Sequence, residues 1–168
     1  GFQDLVDAGH SVQSHTLTHG QVTTDEEYIT DYAQSQIDIN EHLTSQTAWT
    51  MAYPDPSGVP VRPELAKDFY IGARGVTGTP NTATGINYFN TNSTSSFINA
   101  DYVDSVMYGT SGVSWLGDSR YLRGWLCTHF HLVKDRASTE EDLQYIDTLK
   151  SQIWSAKFPD IIRFVQER

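Results

Sequence analysis

The stretch Gly9-His10-Ser11-Val12-Gln13-Ser14-His15-Thr16-Leu17-Thr18-His19 holds the first strand this chain offers and three of its six histidines. Gly9 suits the left-handed backbone that ends a helix, and Gly20 follows at the other end, so the stretch reads as a short strand running into a loop. Residues 1–9 read as the last two turns of a helix, with Phe2, Leu5 and Val6 on one side. That helix has no visible N-cap, so the chain is expected to open partway through a domain.

Downstream, Thr24-Asp25-Glu26-Glu27 is a capping-box pattern, and Tyr28, Ile29, Tyr32, Ala33, Ile37, Ile39 and Leu43 form a broad apolar stripe, so a helix is expected to run to about Thr44. Residues 48–53 read as a buried strand stopped by Pro54, residues 63–69 as a short helix, and residues 70–74 as a second strand. From Gly75 to about Ser119 the chain is rich in Gly, Thr, Asn and Ser, which predicts long loops with short elements embedded in them. Strand character returns over 121–133. Ser138-Thr139-Glu140-Glu141 then caps a helix carrying Leu143, Ile146, Leu149 and Ile153, and 158–165 closes the chain as a strand or a short helix. Strands separated by helices predict a mainly parallel sheet or a barrel-like α/β fold, with functional residues at the carboxyl ends of the strands. At 168 residues, one domain over 1–168 is expected.

Composition narrows the function. With 21 acidic residues against 11 Lys and Arg, a formal charge of −10 argues against nucleic-acid binding, which is driven mainly by Lys and Arg. No apolar run approaches the roughly 18 residues of a membrane span, so no membrane span is expected. Cys127 is the single cysteine, which excludes an internal disulfide and any cysteine-based zinc finger.

The chemistry-bearing residues are histidines. His15 and His19 lie four residues apart, a spacing that puts both rings on one side of a helix or of an extended strand. They could share one divalent metal, or simply stand at a polar strand end. His129 and His131, at i and i+2 in the later strand, share one face, and one of them could serve as a general acid or be a solvated strand-end histidine. His10 and His42 read as structural.

On these residues the chain resembles the polysaccharide deacetylases of the NodB-homology type, carbohydrate esterase family 4. Residues 9–19 are similar to that family's second motif, a strand ending in His-[Ser/Thr]-x-x-His. Ala52-Tyr53-Pro54-Asp55-Pro56-Ser57-Gly58 is similar to its substrate-groove motif, Ile71-Gly72-Ala73-Arg74-Gly75 to the segment that follows, and Phe130-His131-Leu132-Val133 to its late motif. The resemblance implies a distorted (β/α) barrel of the polysaccharide deacetylase type, incomplete at its N-terminus. It implies metal-dependent removal of acetyl groups from an N- or O-acetylated polysaccharide or oligosaccharide, with zinc held by His15 and His19 and His131 as general acid. Tyr53 and the Asp55 amide would line the substrate groove, and Arg74 would be the nearby cation that orients the base. A secreted or cell-envelope location follows from the same resemblance.

The family's first motif, which brings the catalytic aspartate and a third metal ligand, has no counterpart here, so the chain as given is expected to be inactive alone. Two other functions compete. One is a noncatalytic carbohydrate-binding module on a deacetylase-like fold, using Trp49, Trp115, Trp125 and several tyrosines as flat faces for sugar rings. The other is a different metal hydrolase built on His15, His19, His129 and His131 together.

Overall fold

The computed structural model describes residues 1–19, 21–54, 62–76, 78–94, 100–108, 123–129, 131 and 136–168. They fall into two compact units. The first comprises Gly1–Gly75, Asn87–Thr91 and Ala156–Arg168; the second comprises Val76–Ile86 and Asn92–Ser155.

The first unit opens with helix α1 (Phe2–Asp7). Gly9 ends it at φ +91°, where the amide of Gly9 donates to the carbonyl of Val6 and that of His10 to Leu5, both at 2.9 Å. These two bonds satisfy carbonyls that a helix end leaves open, and only a residue without Cβ enters that backbone region at no cost. Helix α2 (Asp25–His42) starts on the capping box: the Glu27 amide donates to Thr24 Oγ1, and the Glu27 carboxylate accepts the amides of Thr23 and Thr24. Those amides, Thr23 first, hold the Glu27 carboxyl below its usual pKa, so this cap is complete above the ordinary carboxylate range and weakens as pH falls through the lowered value.

The apolar stripe expected on α2 is buried in part: Tyr28, Tyr32 and Leu43 are buried and Ala33 and Ile39 half-buried. Ile29 is 41% exposed and Ile37 44%, whereas Tyr28, Asp31, Tyr32 and Ser35 are buried. The polar side chains turn inward because each meets a backbone or side-chain partner there. Asp31 accepts the Thr18 amide at 2.7 Å, Ser35 meets the Ser14 hydroxyl at 2.8 Å, and Gln36 donates to the carbonyls of Ala48 and Phe69.

Strands β1 (Thr50–Ala52) and β2 (Gly72–Arg74) pair in parallel, Thr50 opposite Gly72, with the short helix α3 (Pro63–Ala66) between them in sequence. Single parallel bridges, Ser14 to Met51 and Arg74 to Thr91, extend the pair on either side. The core is largely aromatic. Tyr28, Tyr32, Met51, Tyr53, Ala66, Tyr70 and Ala73 cluster, and the phenols of Tyr70 and Tyr53 donate to the carbonyls of Tyr32 and Phe89. The last element is helix α6 (Phe158–Gln166), so of the two readings for the closing segment the helical one holds. Its Ile162 is fully buried against Gly72.

Gly72 is held to its size by packing. A Cβ there would lie 3.0 Å from Ile162 Cγ2 and 3.1 Å from both Ile162 Cδ1 and the Tyr88 carbonyl oxygen. The isoleucine can yield, but the carbonyl is tied to the Ala73 amide at 2.7 Å. Gly72→Ala is therefore expected to destabilise this unit by about 1–3 kcal/mol, read as a lower urea midpoint at unchanged slope.

In the second unit, helices α4 (Ala100–Tyr108) and α5 (Arg136–Thr148) pack together, and the Tyr145 hydroxyl donates to Asp104, which pushes that phenol up to about 12. Helix α5 begins two residues before the expected cap, and α4 is an element embedded in the segment read as loops. Residues 123–129, expected as a strand, contribute only two single bridges, Trp125 to Asn81 and Thr128 to Thr94.

The expected distorted (β/α) barrel is thus corrected. Among the described residues the only ladder is an open sheet of two three-residue strands, accompanied by six helices. A barrel needs a closed ring of tilted strands, each hydrogen-bonded on both sides. Single-residue bridges flank β1 and β2 in place of further strands.

Candidate functional site

The histidine loop is built on the first unit. His15 follows the bridge residue Ser14, and its Nδ1 donates to the Ala52 carbonyl at 2.8 Å, which fixes the ring and its tautomer. His19 stands edge-on to His15, with ring centroids 5.0 Å apart and planes at 81°. Both side chains are exposed. The loop between them is strained: Thr16 has φ 65° and His19 φ 58°, a region that costs a residue bearing a Cβ about 1–2 kcal/mol. The buried Asp31 carboxylate holds the loop through the Thr18 amide, and Ser14 Oγ accepts the Thr16 amide at 3.2 Å.

Spacing thus brought the two rings together, but not a metal site. Among the described residues no group of three or more His, Cys, Asp or Glu side chains is placed to hold a metal. Asp31 accepts from the Thr18 amide and from neither ring, while its second oxygen is buried without a partner. Two imidazoles alone do not make a zinc site of the hydrolytic kind, which takes three protein ligands. The expected zinc cofactor, and with it metal-dependent deacetylation, is therefore corrected, as is the four-histidine hydrolase.

The other expected site residues have other settings. His131 lies in the second unit, exposed, with its ring 6.4 Å from that of His129, whose Nδ1 is 2.8 Å from Ser93 Oγ. Among the described residues it belongs to no group of three or more side chains placed to hold a metal. Tyr53 is a core residue, its phenol bonded to Phe89 at 3.1 Å and pushed well up by burial. Arg74 ends β2, half-buried, with Nη1 donating to the Gly75 carbonyl at 3.3 Å. Asp55 and Trp115 lie outside the described residues, and Trp125 is half-buried.

Two concave features lie on the first unit. One, of about 300 Å3, is lined by Leu17, Thr18, Val22, Glu26, Glu27, Thr30 and Asp31; it carries three carboxylates and no aromatic face. The other, of about 190 Å3, is lined by Trp49, Ile71, Arg163, Gln166 and Glu167. Here Trp49 is 43% exposed. Its carbonyl accepts the Ile71 amide at 2.9 Å, and the Ile71 carbonyl accepts Gln166 Nε2 at 2.8 Å, so the three residues are locked to one another. Arg163, Gln166 and Glu167 fall at i, i+3 and i+4, one face of α6. The sequence offered Trp49 as a candidate flat face for a sugar ring. The helix face opposite it was not legible, because 158–165 read equally well as a strand.

No family model and no solved structure matches the chain. It is similar to a gellan lyase of a Bacillus species, 31% identical over 196 aligned residues that take in 99% of this chain. The chain spans about 8% of that protein's length.

Proposed function

We propose that this chain is a noncatalytic carbohydrate-binding module of a larger carbohydrate-active protein. The observation that carries this reading is the exposed Trp49 ring on the wall of a cavity furnished with Arg163, Gln166 and Glu167. An indole is a flat apolar face on which the C–H side of a sugar ring can lie, and the polar groups beside it can meet the ring's hydroxyls. The backbone that carries the indole is fixed by its bonds to Ile71 and Thr47, so less of the chain must be ordered on binding.

The similarity supports the same reading. Nearly all of this chain aligns with a small part of a protein named for gellan, a polysaccharide. A module of that kind would work outside the cell or in its envelope, where polysaccharides are met. No helix among the described residues is long and apolar enough to cross a membrane.

The test is electrophoresis through native gels containing gellan, xylan or acetylated chitosan, with and without a chelator, on the chain and on His15→Ala. Retardation by at least one polysaccharide, unchanged by chelator or substitution, is expected. Migration unaffected by every polysaccharide would sink the reading, and so would retardation that vanishes with chelator and with His15→Ala.

A further inference from the structure

We draw no further inference here: the strongest candidate, the hollow of the first unit between the first turns of α2 and Leu17, Thr18 and Val22, rests on the acidic cluster of Glu26, Glu27 and Asp31, and Asp31 Oδ2, a carboxylate oxygen without a partner among the described residues, is itself buried, so nothing in the structure shows what ligand the hollow would take.

Discussion

Tyr32→Ala is expected to lower the stability of the first unit by about 3–5 kcal/mol, the cost of removing a large aromatic side chain from a packed core. Tyr32 is 1% exposed and meets Tyr28 with ring centroids 5.9 Å apart and Tyr70 edge-on at 6.5 Å. Truncation leaves those two rings without their common neighbour. The Tyr70 phenol keeps its acceptor, since it bonds to the Tyr32 backbone carbonyl. For a chain of this size the loss corresponds to a fall in melting temperature of about 6–20 °C. Ile29→Ala on the same helix is the internal comparison: at 41% exposure it is expected to change stability by about 0.5 kcal/mol or less. Comparable losses at the two positions would mean that α2 buries Ile29 as deeply as Tyr32.

That contrast marks where sequence reasoning reached and where it stopped. Local signals were legible. Gly9 sits at the positive φ that its position after Val6 and Asp7 suggested, and Thr24 and Glu27 form the capping box their spacing describes. Both rest on contacts within a few residues, which the sequence itself contains. Of the buried face of α2, Tyr28, Tyr32 and Leu43 were legible in the stripe, but its polar members were not, because Asp31, Ser35 and Gln36 turn inward only where Thr18, Ser14, Ala48 and Phe69 arrive from elsewhere.

The same division runs through the site. The spacing of His15 and His19 foretold two rings side by side. Whether a third ligand joins them depends on distant parts of the chain, and among the described residues none does. The barrel failed for a related reason: strand-like composition over 48–53 and 70–74 specifies two strands, but ring closure needs neighbours that the Gly-, Thr- and Asn-rich segment does not supply among the described residues. Trp49 could be picked out from its residue type, while its partners on α6 required the closing segment to be helical.

Trp49→Ala is expected to weaken polysaccharide binding about 30-fold or more, in line with the roughly 2 kcal/mol that a central Trp contributes at a recognition surface. Among the described residues Trp49 is the one aromatic side chain that lines this hollow. Because it is 43% exposed, its removal is expected to leave the fold in place, unlike Tyr32→Ala. Calorimetric titration of the chain and of Trp49→Ala with gellan oligosaccharides is therefore the most direct test of carbohydrate binding through this face. Measurable affinity in the former, reduced about 30-fold or more in the latter at unchanged thermal stability, is the expected result. Equal affinity in the two, or none in either, would contradict it.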